Sequence, residues 1–313
     1  MNKRELVLSL LDPAILTPYI PAAFFLHFDP QYHRGQAAID KHIEYFHYTG
    51  MDFVKIQYET RYPVRPEIQT ASDWRKMPCY GDDFYQDQWN IARGLVEAAG
   101  KEALVVMTLY SPLMCAGHTI GKQNLMAHFE DDPEKVKTGM EIITESLLIF
   151  IRGCIEVGIN GFYHSTQGGE TQRFENSPIF EEYIKPYDLI LMKEIEEKCE
   201  FNILHVCDYE GGYLSYKPFL DYPGHVVNAS LKLGNRTLTS TEVSDMFGRP
   251  FMGGMDRHGI MVSGNMEEIQ AEVNAVCQQA PPNFILGADC TLPGDIDWDH
   301  IKTAIDTAHT FHA

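Results

Sequence analysis

The sequence predicts a single (β/α)8 barrel, or TIM barrel, over residues 1–313, with an N-terminal extension of about 20 residues. Strand-like and helix-like segments alternate along the whole chain, in eight units without a central reversal. No glycine-rich phosphate fingerprint follows the first strand, which disfavours the rival doubly wound sheet. The 313 residues suit two average domains or one large barrel, and no Ser-, Gly- or Pro-rich linker divides them.

Each predicted strand is a short apolar run bounded by turn residues. In a barrel, the carboxyl ends of all strands meet on one rim, and that rim carries the chemistry. The strands predicted in chain order are 22–28, 52–59, 103–110, 161–165, 202–207, 225–229, 250–253 and 283–289.

The segments between the strands carry apolar residues at three- and four-residue spacing, as amphipathic helices do. Glycines follow several of them, as left-handed helix ends prefer, and Pro133 begins another after two aspartates. The predicted helices are 37–49, 84–99, 133–157, 179–199, 239–247, 266–279 and 298–312. Two connections, 62–80 and 111–132, exceed a plain strand-to-helix loop, and we expect such loops to cover an active site.

Composition and charge exclude several classes of function. The net charge is −19, which argues against nucleic acid as the main ligand, because phosphate binding needs clustered Lys and Arg. No run approaches the ~18 apolar residues of a membrane span, and Met1–Leu6 does not begin a signal peptide. We expect a cytoplasmic protein whose seven cysteines, an odd number, stay reduced.

Three residues indicate a metal site. His205 and Cys207 are two apart in a buried strand, so their side chains share one face. Cys290 ends the eighth predicted strand, while His205 and Cys207 end the fifth, so all three fall on the same rim. Two thiolates and an imidazole with one open position form the ligand set of a catalytic zinc ion.

The stretch Leu204-His205-Val206-Cys207 and the late Cys290-Thr291-Leu292-Pro293, with the order of the eight units, resemble the uroporphyrinogen decarboxylase superfamily. The similarity is to its cobamide:thiol methyltransferase branch. That resemblance implies that zinc binds to His205, Cys207 and Cys290, and that a methyl group moves to a thiol, such as coenzyme M, from a methylated corrinoid. The corrinoid would be carried by a partner protein.

The chain departs from the decarboxylase proper. That branch has an arginine-rich N-terminal stretch, whereas the matching segment here, 25–34, contains one arginine. At the second strand end, Gln57 and Glu59 stand where the decarboxylase has an aspartate. Two alternatives nevertheless stay open: a metal-free lyase acting on a porphyrinogen-type tetrapyrrole, and a non-catalytic corrinoid- or tetrapyrrole-binding protein whose zinc is structural. Oligomeric state is not predicted.

The remaining candidates follow from position. Asp208 stands where the methyltransferase branch commonly has glycine, and we expect it to orient His205 through the second ring nitrogen. We expect Glu170 to occupy the open metal position before substrate arrives. Further strand-end residues are predicted to bind substrate: Glu59, His164, Gln167 and Asp256.

Overall fold

A curled parallel sheet forms the centre of the protein, of which the computed structural model describes residues 1–15, 17–174 and 177–311. Within those residues the sheet has seven strands, in the order β1-β2-β3-β4-β5-β8-β9. Two short strands, β6 and β7, form a separate antiparallel pair. The strands are β1 (Phe53–Ile56), β2 (Leu104–Tyr110), β3 (Gly161–Thr166), β4 (Ile203–Val206), β5 (Val226–Ala229), β6 (Lys232–Leu233), β7 (Arg236–Thr237), β8 (Phe251–Met255) and β9 (Ile285–Ala288).

The eighth strand of the predicted barrel, over 22–28, is not assigned, so a closed eight-stranded barrel is not confirmed. This segment makes only isolated bridges, from Ala22 to Leu286 and from Leu26 to Leu292. A regular ladder does not continue between these bridges, because they are four residues apart in this segment and six apart on its partner. The Phe24 carbonyl, which lies between them, accepts a hydrogen bond from the Tyr45 hydroxyl at 3.0 Å. The other seven predicted strands are confirmed, with ends shifted by a few residues. Because the first predicted strand is not assigned, His205 lies in the fourth observed strand and not in the fifth.

Helices pack outside the sheet, and the seven predicted helices are all found. One of them, 179–199, begins as a π-helical turn over Phe180–Ile184, and the His312 end of the last lies outside the described residues. The α-helices are α1 (Lys3–Ser9), α2 (Gly35–Thr49), α3 (Asp82–Ala99), α4 (Pro112–Ile120), α5 (Lys122–Asp131), α6 (Pro133–Glu156), α7 (Lys185–Lys198), α8 (Ser240–Phe247), α9 (Ile260–Ser263), α10 (Met266–Gln278) and α11 (Trp298–Thr310).

The two long connections lie at the carboxyl ends of β1 and β2. The connection 111–132 was expected to be a loop but contains α4 and α5, which begin after Ser111 and Gly121. The connection 62–80 contains a 3-10 helix, Ala71–Lys76. Among the described residues, no helix combines the length and apolar character that crossing a bilayer requires.

Candidate metal centre

Strand β4 and the segment after β9 bring together the three residues that the sequence singled out. His205 lies in β4, between Ser165 of β3 and Asn228 of β5 in the sheet register. Cys207 continues the ladder by one residue, because its N–H donates to the Thr166 carbonyl at 3.0 Å. Cys290 follows β9 by two residues. Parallel pairing therefore delivers all three side chains to the same end of the sheet.

The donor atoms of these three residues converge. One ligand atom each from His205, Cys207 and Cys290 lies within 4.8 Å of the other two. Cys290 Sγ and His205 Nε2 are 3.5 Å apart. His205 and Cys207 are buried, and Cys290 is partly exposed towards a cavity. Two sulfur atoms and an imidazole nitrogen in this arrangement can hold one metal ion.

The surroundings favour a thiolate at Cys207. Its pKa is held well below the usual range of a thiol, first because Cys290 can donate a hydrogen bond to its sulfur. The nearby His205 and the amide of Gln167 act in the same direction, against the effect of burial. Gln167 Nε2 donates to Cys207 Sγ at 3.3 Å, and Arg173 fixes that amide by donating to Gln167 Oε1 at 3.2 Å.

An arginine links the two segments that carry the ligands. Arg257 Nη1 donates to Asp208 Oδ1 at 2.6 Å and lies 3.4 Å from Asp289 Oδ2. Asp208 follows Cys207 and Asp289 precedes Cys290, so the guanidinium joins both ligand-bearing ends. The expected hydrogen bond, in which the His205 ring would donate to Asp208, is not formed, and the Asp208 carboxylate accepts from Arg257 instead. The buried His205 Nδ1 has no hydrogen-bond partner among the described residues.

A cavity of about 450 Å³ opens above the three donor atoms, which all lie in its wall. Its size is in the range of small-molecule sites. Helices α4 and α5 form one side, through residues such as Leu113 and Met126. Four cationic side chains with exposed or half-buried positions also line it: Arg61, Lys122, Arg173 and Arg257.

Of the four residues predicted to bind substrate, the structure places one beside the metal centre and one on the wrong face of its strand. Gln167 lines the cavity, where it contacts Cys207. His164 does not line it, because Tyr163 and Ser165 do and alternate residues of β3 face opposite ways. His164 instead lies within the protein, with Nε2 3.9 Å from Asp188 Oδ1 of α7.

The other predicted carboxylates lie near the rim but outside the cluster of donor atoms. Glu59 accepts His27 Nδ1 at 2.9 Å, and Asp256 accepts Lys232 Nζ at 2.6 Å. Glu170 is fully buried and accepts the Gly168 N–H at 2.7 Å, while burial raises its pKa. Its carboxylate is not within the 4.8 Å group of ligand atoms, so occupation of the open position stays a prediction.

Three residues of the site escaped the sequence reasoning. Arg257 had no signal, since only the folded chain brings it between Asp208 and Asp289. Tyr163 stacks against His205, with ring centroids 4.9 Å apart. Lys55 had a usable signal, because a lysine inside the apolar run Phe53-Val54-Lys55-Ile56 is unusual for a fully buried strand.

The fold and the site together describe an α/β protein with a curled parallel sheet. At the carboxyl edge of that sheet lies a cavity lined by potential metal ligands. The family model described as Uroporphyrinogen decarboxylase (URO-D) matches residues 49–311. The chain therefore belongs to the uroporphyrinogen decarboxylase family, as the sequence motif indicated. A comparison with curated proteins finds no match.

Solved structures with the same fold share little sequence with the chain. A methyltransferase from Methanosarcina mazei superimposes with a TM-score of 0.80 at 13% identity and covers 100% of both chains. A B12-independent methionine synthase from Shewanella sp. W3-18-1, in complex with selenomethionine, gives a TM-score of 0.62 at 10% identity. That match covers 93% of this chain and 97% of the synthase. At these identities, the similarity concerns the fold.

Proposed function

We propose that this protein is a zinc-dependent methyltransferase that moves a methyl group from a methylated corrinoid to a thiol. The observation that carries the proposal is the convergence of His205, Cys207 and Cys290 within 4.8 Å at the wall of an open cavity. Membership of the uroporphyrinogen decarboxylase family supports it, as does the shared fold with a methyltransferase.

The donor set fits zinc. In a tetrahedral site with Zn–S of about 2.3 Å and Zn–N of about 2.0 Å, a sulfur and a nitrogen ligand are about 3.5 Å apart. Cys290 Sγ and His205 Nε2 are 3.5 Å apart. Three protein ligands leave a fourth position for substrate, as catalytic rather than structural zinc sites do.

The residues around the centre would prepare a thiol for methyl transfer. Zinc, when bound, supplies the positive charge that makes a substrate thiol ionise at neutral pH. Gln167 stabilises the negative charge of Cys207 through the hydrogen bond of its amide. Arg257 holds the segments of Cys207 and Cys290 at a fixed separation through Asp208 and Asp289. Helices α4 and α5 form one side of the cavity, and their apolar side chains there would limit its hydration.

The methyl donor would approach from the open side of the cavity. Tyr209 lines the cavity and is 71% exposed. Its ring would offer an apolar contact to a partner that docks over the cavity. We therefore propose a corrinoid carried by a second protein as the donor.

A demethylation assay tests the proposed function. The zinc-loaded protein is mixed with methylcobalamin and a panel of thiols, and loss of the methyl–cobalt bond is followed by absorbance. We expect demethylation that requires both zinc and a thiol. Zinc-loaded protein that leaves methylcobalamin unchanged with every thiol would contradict the proposal.

The charge of the cavity indicates a thiol that carries a negative group. Lys122 and Arg173 both pair with Glu210, whereas Arg61 forms no ion pair with any residue that the structure describes. Arg61→Gln should weaken binding of 2-mercaptoethanesulfonate about tenfold, because a charged hydrogen bond contributes about 1.5 kcal/mol. Calorimetry should show no change for neutral 2-mercaptoethanol. Arg75→Gln, on the exposed 3-10 helix, is the matched control. An equal loss for both thiols would argue against an anion-binding role.

The hydrogen bond to Cys207 should support metal affinity. Gln167→Leu removes the amide that donates to Cys207 Sγ, and we expect zinc to bind roughly 10- to 100-fold more weakly. Competition with a chromophoric chelator measures this affinity. Gln86→Leu, an exposed position on α3, should bind zinc as the wild type does. Unchanged affinity in Gln167→Leu would show that the contact has no part in holding the metal.

A second candidate is a metal-free lyase that decarboxylates a tetrapyrrole. The family to which the chain belongs favours it, and cationic side chains in the cavity suit a substrate with several carboxylates. Removal of metal with a chelator separates the candidates. The methyltransferase should lose its activity and regain it with zinc, whereas a lyase of this kind should be unaffected.

A further inference from the structure

Lys55 is a buried cation that the ligand set does not explain. It lies in the middle of β1, is 6% exposed and lines the same cavity as His205, Cys207 and Cys290. Its Nζ donates to Gln57 Oε1 at 2.6 Å, and it forms no ion pair with a carboxylate among the described residues. Burying an ammonium group without a partner anion is unfavourable. A retained lysine here therefore calls for a compensating charge.

Aromatic rings surround this ammonium group and connect it to the metal centre. Lys55 Nζ lies 4.7 Å from the ring centroids of both Phe25 and Tyr163. Tyr163 also packs against His205, whose ring centroid is 4.9 Å from its own. Cation–π contacts stabilise the ammonium group without neutralising its charge. Tyr163 thus contacts both the ammonium group of Lys55 and one of the three residues of the metal centre.

The net charge of the proposed site, once substrate is bound, would favour a nearby cation. Two cysteine thiolates and a neutral imidazole cancel the charge of Zn²⁺, so the site with three protein ligands is neutral. A substrate that enters as a thiolate, releasing its proton to solvent, makes the site negative. Burial lowers the pKa of Lys55 to about 7, and negative charge on Cys290, Glu59 and Cys207, in that order, opposes this shift. Electrostatic attraction between Lys55 and the substrate-bound site therefore acts across a poorly solvated region.

We propose that Lys55 is a positioning residue whose ammonium group balances the negative charge of the thiolate-bound site, so that an anionic fourth ligand is preferred over a neutral one. This inference rests on the proposed function, because it assumes a metal with an open position. The geometry behind it is the shared cavity and the stack of Lys55, Tyr163 and His205.

The test compares an anionic with a neutral ligand on cobalt-substituted protein. Co²⁺ replaces zinc, and absorption of the Co²⁺ site follows the binding of 2-mercaptoethanol and, separately, of imidazole. Lys55→Met keeps the length and apolar stem of the side chain but removes the charge. We expect the variant to retain its metal, to bind the thiol at least about tenfold more weakly, and to bind imidazole as well as the wild type does. A merely structural role of Lys55 would change both affinities alike.

Lys41→Met serves as the matched control. Lys41 also makes cation–π contacts, 4.3 Å from Trp298 and 4.9 Å from Tyr32, but lies on α2 outside the cavity. It should bind both ligands normally. Lys55→Gln supplies the same comparison with a neutral polar side chain if Lys55→Met fails to fold.

The possible failures are distinguishable. Wild-type cobalt protein that binds no thiol would overturn the proposed function and this inference with it. Wild-type protein that binds thiol, together with a Lys55→Met variant of equal thiol affinity, would overturn the inference alone. Parallel losses of thiol and imidazole binding in Lys55→Met would also overturn it, because the residue would then shape the site without discriminating charge.

Discussion

Replacing Cys207 with alanine is expected to abolish stable zinc binding. The wild type should carry about one zinc ion per chain, and loss of one of three protein ligands should weaken affinity by on the order of a thousandfold or more. Cys207 is the buried member of the pair and the one whose pKa is held low, so it is the ligand best prepared as a thiolate. Metal analysis of protein purified without affinity-tag metals, followed by chelator competition, measures the effect.

Cys277→Ala provides the control for this experiment. Cys277 is also a buried free cysteine, but it lies on α10 and does not line the cavity. This variant should keep its zinc, and thiol methylation should be lost only in Cys207→Ala. Full zinc content in Cys207→Ala would mean that the metal is held elsewhere in the chain.

The largest predicted effect on stability concerns Asp188, behind the sheet. This carboxyl group on α7 is fully buried, and it accepts hydrogen bonds from Thr166 Oγ1 at 2.5 Å and Tyr222 at 3.1 Å. Burial raises its pKa from the ordinary 3.8 to about 7. Its second oxygen lies 3.9 Å from His164 Nε2. An asparagine can keep both accepted hydrogen bonds and turn its amide N–H towards that nitrogen.

The sign of the pH dependence follows from the raised pKa. The folded protein favours the protonated carboxyl, so the stability that this preference provides is complete below pH 3.8 and is lost as the pH rises through about 7. Asp188→Asn stays neutral at every pH. Between about pH 5 and pH 8, the free energy of unfolding of the wild type should therefore fall by about 3 kcal/mol relative to that of Asp188→Asn.

Urea unfolding at several pH values measures this difference. The two proteins differ only at Asp188, so the difference between them reports the titration of that carboxyl group and of the His164 that it contacts. The exposed Asp83→Asn variant should follow the wild type throughout. An Asp188→Asn variant that becomes less stable than the wild type as the pH rises would show that Asp188 is instead ionised and paired with a protonated His164.

The sequence was sufficient for most of the fold because its signals are local. Apolar runs in short segments located seven of the strands, and helical spacing with terminal glycines located the helices. The same reasoning predicted that His205, Cys207 and Cys290 lie on one rim, since strand alternation and parallel topology are enough to place strand ends together.

Features that depend on non-local packing were not predictable. The segment 22–28 has the apolar pattern of a strand, but its two bridges are four residues apart here and six apart on the partner segment, an offset that depends on the folded chain. The face on which His164 lies could not be deduced, because polar residues occur on both faces of β3. The partner of Asp208 was missed because Arg257 is distant in sequence. Helices α4 and α5 were missed because both are short, with Gly117 inside α4 and Gly121 between the two helices.

The proposed function requires three protein ligands that hold zinc and a fourth position that is open to a thiol. X-ray absorption at the zinc edge, with and without 2-mercaptoethanesulfonate, measures this ligand set. We expect two sulfur ligands and one imidazole without the thiol, and a third sulfur at about 2.3 Å when it is added. A zinc environment that the thiol leaves unchanged, or one that lacks the two cysteine sulfurs, would rule out the proposed site.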